Sequence, residues 1–359
     1  MRKWWVAVAA CGWIGCKTTE QQVSQGTLDQ DLEALRVKSG AIGLNVGLIR
    51  GGKLVHTGAY GLADADEEAP MRDDAIVQLA SVSKVFVGLA VARAIELDFE
   101  LDLDADVNEY LGWSKPLVHP MFPETPITLR HLMRHESGLT ADGPGDYETY
   151  PKPDPSSVLG DYLEDLLAQP AYWEPIEPGE AEEYSNLGTA VAAAVVEQVV
   201  GQDFAAFCDQ EVFGPLGMTD THWFYRNYSA SQQARIARLH DEAGEPLEHY
   251  GFDDWPSGQL RSTVGDLARA LIALMDGGRV GGTTFLSTST LAAFETVTFF
   301  IQADLDSNPA SFDHSGGEAG IHSYVEYDRG RNGLIILMNH ELDDDDPIMD
   351  DVEARLRAE

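Results

Sequence analysis

Residues 81–98 (SVSKVFVGLAVARAIELD) have the length and composition of a helix, with apolar side chains nearly all the way round. A helix without a polar face must be covered on every side, so this segment predicts a buried helix around which the rest of the fold is arranged. Lys84 stands inside that run, three residues after Ser81. On a helix, positions i and i+3 share a face, which puts a hydroxyl and an amine within hydrogen-bond reach. Two readings compete: a lysine that snorkels to water, or a nucleophile and its base on one helix.

β-Rich runs stand at the two ends of the chain. Residues 41–49 (AIGLNVGLI) and 53–60 (KLVHTGAY) flank RGG and read as a hairpin. Near the other end, FDHSGG, IHSYVEYD and GLIILMNH read as three successive strands, with DRGRNG making the last turn and DPIMDDVEARLRAE a closing helix. Between them, a Pro- and Gly-rich region from about 100 to 180 carries short helical patterns at 129–135 and 158–168. Two longer helices are predicted at 186–201, stopped by Gly201, and at 262–278, capped by Ser262 or Thr263. No internal repeat is visible. Strands at both termini with helices between predict an α/β (α+β) chain: one antiparallel, mixed-order sheet flanked by helices, with an all-helical insertion. The expected division is a sheet domain from 27–80 and 255–359 and a helical domain from 81–254.

The chain has 359 residues, with 24 basic against 60 acidic side chains and a net charge of −36. Such a surface repels phosphate backbones, which argues against a nucleic-acid partner, and disfavours docking to anionic lipid by charge. The N-terminus, MRKWWVAVAACGWIGCKTTE, starts basic and continues with about a dozen apolar residues, a secretory pattern too short for a comfortable membrane span. A cysteine at its end suggests cleavage before a lipid-bearing Cys. Cys11 has the better local sequence and Cys16 the better length, and Cys16 is preferred. Residues 1–16 then form a lipoprotein-type signal and 17–26 a polar tether, and the expectation is an exported protein of the bacterial envelope that touches the membrane only through this anchor. After cleavage at Cys16, Cys208 is the only other thiol. Its setting, FAAFCDQEVF, is an amphipathic helix pattern that predicts buried filler and no internal disulfide.

Two further stretches change the weight of the Ser81–Lys84 pair. EYSNLGTAVAAAVVEQVVG gives Tyr184-x-Asn186 directly before a helix, and FDHSGGEAGIHSYV gives His314-Ser315-Gly316 on a candidate strand, followed by Gly317. Tyr225-Arg226-Asn227 and Lys38-Ser39-Gly40 match the same short patterns, but lack supporting flanks, and Lys38 precedes the nucleophile; both read as coincidence. His131 and His135 are spaced as two metal ligands on one helix face would be, yet no glutamate lies between them and no third ligand suggests itself, so packing is preferred and no metal is expected.

Ser-x-x-Lys, Tyr-x-Asn and Lys/His-Ser/Thr-Gly, in that order, resemble the serine β-lactamase and penicillin-binding protein superfamily. The flanks LDLDADVNEYL, LRHLMRHESGL, FGPLGMTDT and GQLRSTVGDLARAL are similar to the class C β-lactamase and D-alanyl-D-alanine peptidase/esterase branch, so the likeness runs over roughly residues 27–340. The resemblance implies a cleft between the sheet domain and the helical domain, and an acyl-enzyme formed on Ser81. It implies that Lys84 and Tyr184 share proton transfer, with Tyr184 favoured as base in this branch and the first step left open between them. It implies that Asn186 holds the substrate amide and orients Lys84, and that the N–H groups of Ser81 and Gly317 form the oxyanion hole. No cofactor is expected, and the expected partner is a small acyl, peptide or ester substrate. His314 stands where penicillin-recognising enzymes commonly carry lysine. A histidine is mostly neutral near pH 7 and offers a carboxylate less fixed charge, which leaves room for an esterase or a D-amino-acid peptidase. The alternative is a non-catalytic envelope protein that binds peptidoglycan fragments or a protein in the same cleft.

Overall fold

The computed structural model describes residues 27–140, 152–343 and 346–359; the expected signal and tether, with Cys11 and Cys16, lie outside the described residues. The first helix, α1 (Leu28–Ser39), is held at its start by a Thr27–Gln30 capping box and stopped by Gly40 in the left-handed conformation. Strands β1 (Gly43–Arg50) and β2 (Lys53–Asp64) follow as the expected hairpin. Gly51 and Gly52, both with positive φ (58° and 72°), turn the chain as a tight hairpin requires. Short strands β3 (Ala69–Pro70) and β4 (Val77–Gln78) lead to the buried helix α2 (Ser83–Glu96). Much further on come β5 (Arg261–Ser262), the small hairpin β6 (Arg279–Val280) and β7 (Thr283–Thr284), and then β8 (Gln302–Asp304), β9 (Ser311–Glu318), β10 (Ile321–Asp328) and β11 (Gly333–Met338).

Seven of these strands form one sheet in the order β3-β2-β1-β11-β10-β9-β8, with antiparallel pairing throughout. The two chain ends meet where β1 pairs β11, Val46 opposite Ile336. One face of the sheet (Leu44, Val46, Leu48, Leu334, Ile336 and Met338) is covered by α1 and by the C-terminal helix Ile348–Arg357. The opposite face packs into the larger core with α2 and helix Val264–Met275. β11 is therefore buried on both sides, which is why its sequence, GLIILM, shows no alternation. β4 pairs β5 outside the main sheet, tying the approach to α2 to a segment about 180 residues later.

Two local expectations need correction, and one helix lacks a pattern that predicts it. The helix predicted from Ser81 starts at Ser83, and Ala80–Val82 form a tight 3-10 turn before it. The helix predicted over 129–135 is Leu129–Met133, and His135 lies beyond it with φ +56°, so His131 and His135 do not share a helix face. α1 was not foreseen because its sequence is polar: Leu32 is its one fully buried side chain. Cys208 is buried in a helical segment, as its pattern predicted. No single helix among the described residues is long and apolar enough to cross a membrane.

Candidate active site

The chain reaches Ser81 through a sharp change of direction. Ala80, with φ +44°, is in a region that L-residues with a side chain rarely adopt and that persists only where the surroundings enforce it. The enforcement is visible. The Leu79 N–H donates to the Leu260 carbonyl (2.8 Å), the Ser323 hydroxyl donates to the Leu79 carbonyl (2.6 Å), and the Leu260 N–H donates to the Ser83 hydroxyl (3.1 Å). Ala80 and Val82 are buried while Ser81 between them is partly exposed. The turn thus presents one hydroxyl at the start of a buried helix.

Lys84 is fully buried, on the first turn of α2. Its ammonium nitrogen donates to the Ser81 hydroxyl oxygen at 3.0 Å and to the Ser257 carbonyl at 2.8 Å. It also lies 4.9 Å from the centre of the Tyr184 ring. The snorkelling reading therefore fails: the amine points at the serine, not at water. Ser257 belongs to a short turn, Trp255–Ser257, whose hydroxyl is held by Asp254 (3.2 Å) and whose neighbour Gln259 is anchored to the Phe252 and Trp223 backbones. Sequence reasoning missed this carbonyl, because a backbone acceptor leaves no residue-type signal.

Tyr184 precedes helix Asn186–Val200, whose N-cap is Ser185. The Ser185 hydroxyl accepts from the Gly188 N–H (3.1 Å) and donates to the Thr140 carbonyl (2.8 Å). Asn186 is the first residue of the helix and half-buried. The Tyr184 ring lies against the His135 ring, centroids 4.4 Å apart and inclined by 31°.

The third stretch falls on β9, where side chains alternate. His314 and Gly316 are buried; Ser315 and Gly317 are exposed. A Cβ on Gly316 would lie 2.9 Å from the Ser81 nitrogen, 2.6 Å from the Leu79 carbonyl and 2.5 Å from the Ser323 hydroxyl. Only glycine lets the strand come so close to the nucleophile's backbone. A Cβ on Gly317 would meet nothing within 4 Å, so the backbone there borders open space. β8 pairs β9 only as far as Asp313, and among the described residues no strand continues along that edge from His314 to Glu318.

The His314 ring nitrogen Nδ1 lies 2.5 Å from the Ser315 carbonyl, to which it donates. Burial, reinforced by the Lys84 charge, pushes its pKa down to about 4, so His314 is neutral at pH 7. His135 is likewise pushed down to about 3, by burial and then by Lys84 and His314. A cavity of about 420 Å³ opens beside Tyr184, His135 and His314, with Phe300 and Glu182 on its wall. A second, of about 430 Å³, opens on the other side of β9 beside Ser315 and Gly317, and Asp343, Asp346, Asp350 and Glu353 border it.

Ser81, Lys84 and Tyr184 thus meet at one point, with His314 within electrostatic reach of Lys84 and Gly316 against Ser81. Lys38, of the rejected Lys-Ser-Gly pattern, pairs with Asp351 on the outer layer (3.1 Å), and Tyr225, in a 3-10 turn, packs its ring at a tilt against His249. Among the described residues no three His, Cys, Asp or Glu side chains converge as metal ligands. The arrangement of a serine hydroxyl, a buried amine and a phenol suits acyl transfer through a covalent serine intermediate.

The family model described as Beta-lactamase matches residues 28–359. The esterase EstB of Burkholderia gladioli is 34% identical over 227 residues, 61% of this chain and 54% of its own. Penicillin-binding protein 4* of Bacillus subtilis (strain 168) is 27% identical over 313 residues, 82% of this chain and 67% of its own. The match therefore spans about half to two thirds of these curated relatives. The class C beta lactamase of Rhodobacter sphaeroides superposes with a TM-score of 0.72 at 20% identity, covering 92% of this chain and 98% of that one. The D-amino acid amidase of Ochrobactrum anthropi SV3, complexed with L-phenylalanine, gives 0.73 at 20% identity over 92% and 97%. These likenesses establish the fold.

Proposed function

The chain belongs to the beta-lactamase family, and from that premise we propose that it is a serine hydrolase that cleaves esters or amides through an acyl-enzyme on Ser81. The observation that carries the proposal is the 3.0 Å contact between the Ser81 hydroxyl and a Lys84 amine that has no exposure to solvent. In the first half-reaction the Ser81 oxygen bonds to the substrate carbonyl carbon. Its proton passes to the Lys84–Tyr184 pair and on to the leaving alcohol or amine as the scissile bond breaks. The N–H groups of Ser81 and Gly317 hold the oxyanion, and Asn186 positions the substrate amide. In the second half-reaction water takes the acyl group and returns the proton to Ser81. No observation favours the non-catalytic alternative.

The substrate class follows from charge. His314 is neutral at pH 7, and the cavity beyond Ser315 is bordered by four carboxylates. A free carboxylate on the substrate finds no fixed cation at His314 and finds like charge across β9, so uncharged or cationic esters and amides are preferred over D-alanyl-D-alanine peptides and β-lactams. The names of relatives support this breadth, since they include an esterase and a D-amino acid amidase. The test is kcat/KM on p-nitrophenyl butyrate, a D-alanine p-nitroanilide, a D-alanyl-D-alanine peptide and nitrocefin. The neutral ester and the cationic anilide are expected to turn over at least about tenfold faster than the two carboxylates, the discrimination that about 1.4 kcal/mol provides. Preference for nitrocefin or the peptide would overturn this substrate assignment.

Export and lipid anchoring at Cys16 are part of the same proposal, supported by the basic-then-apolar N-terminal pattern. Metabolic palmitate labelling of the parent should survive Cys11→Ser and be lost in Cys16→Ser; the reverse result assigns Cys11.

A further inference from the structure

We propose that His135 is a positioning residue that clamps Tyr184 over Lys84. The inference rests on the reading above, in which Tyr184 takes part in proton transfer at Ser81. Tyr184 lies outside any helix or strand and is 37% exposed, so neither secondary structure nor burial fixes its ring. One residue touches it and both of its neighbours. The Glu183 N–H donates to the His135 carbonyl (2.6 Å), the Ser185 N–H donates to His135 Nδ1 (3.1 Å), and the His135 ring backs the Tyr184 ring at 4.4 Å. The residues on either side of the tyrosine are thereby tied through their N–H groups to one histidine, and the Tyr184 ring centre lies 4.9 Å from the Lys84 amine.

His135 is itself firmly placed. It is 8% exposed, its N–H donates to the Leu132 carbonyl (3.2 Å), and its ring meets Phe300 with centroids 5.4 Å apart. Its backbone is left-handed, a region that histidine and asparagine enter more readily than most side chains. Because Nδ1 accepts a hydrogen bond, the ring proton sits on Nε2 and the imidazole is neutral. The low pKa, about 3, keeps that acceptor in place throughout the neutral range. A protonated ring would turn Nδ1 into a second donor facing the Ser185 N–H and set a cation beside Lys84. The chemistry required at this position is therefore an uncharged, flat side chain with an acceptor for the Ser185 N–H.

The test compares His135→Leu with His135→Asn in the full chain, with active sites counted by a fluorophosphonate. Leucine keeps bulk and loses the acceptor; the asparagine oxygen takes the place of Nδ1 and tolerates the left-handed backbone. His135→Leu is expected to lower kcat per active site by about 10²-fold with KM within about threefold, the scale of a catalytic group displaced by about an ångström. His135→Asn should recover about tenfold of that loss. If the leucine chain does not fold, His135→Gln, whose acceptor lies one bond further out, replaces it with the same expected loss. Parent kcat in a titratable leucine variant, equal losses in leucine and asparagine, or a loss confined to the number of active sites would each overturn the proposal. Tyr184→Phe, measured alongside, separates the premise from the inference. Full kcat there removes the tyrosine from the chemistry and the clamp with it, whereas lost kcat there beside an unaffected His135→Leu removes the clamp alone.

Discussion

Neutral histidines surround the one buried amine of the site. His314 is held at about 4 and His135 at about 3, in both cases chiefly by burial and then by the Lys84 charge; His249, elsewhere in the chain, is held at about 4 by burial and the nearby Arg261 and Arg238. The sign of the pH dependence follows. Between the ordinary histidine value and these low ones the unfolded chain binds protons that the folded chain refuses, so stability rises with pH there and falls on acidification. His314 alone accounts for up to about 3 kcal/mol lost between pH 7 and pH 4, at about 1.4 kcal/mol for each unit of displacement. Asp313, raised to about 6 mainly by burial, works in the opposite direction over part of that window. The informative comparison is therefore between parent and His314→Gln. The parent Tm should fall from pH 7.5 to pH 4.5, and the variant, which cannot titrate at 314, should fall less. Equal drops in both proteins would contradict a neutral, buried His314.

Elements with a strong pattern were legible in the sequence; elements positioned by distant contacts were not. The β1–β2 hairpin announced itself through RGG, and helix Asn186–Val200 through its apolar run and Gly201. β9, β10 and β11 were readable as three strands, and strands at both ends of the chain pointed to one shared sheet, but the order within it was not legible. The three motif pieces were readable because each combines chemically distinctive residue types, Ser81 with Lys84, Tyr184 with Asn186, and His314 with Ser315 and Gly316. The turn at Ala80 was hidden, since alanine carries no signal for a left-handed backbone that Leu260 and Ser323 impose from 180 and 243 residues away. His135 was noticed for the wrong reason: its spacing from His131 suggested a helix face, but the helix ends at Met133 and the ring turns to Tyr184 instead. The Ser257 carbonyl could not be read at all, because any residue type supplies one.

At the scale of the molecule, the site exists only where three remote parts of the chain converge. Residues 81–84 lead into the buried helix, 183–186 lead into another, and 314–317 form the strand laid against the first. The sheet that carries that strand is itself completed by the two chain ends, so the nucleophile's surroundings depend on the whole fold. The net charge of −36 repels anionic molecules, in keeping with the proposed preference for neutral and cationic substrates. Whether Ser81 is the nucleophile is read out by labelling the folded protein with a fluorophosphonate and mapping the modified peptide. One label per chain is expected, on Ser81, with both label and ester turnover lost in Ser81→Ala by about 10³-fold or more. A label on another residue, or a Ser81→Ala chain that turns over ester at the parent rate, would contradict that role.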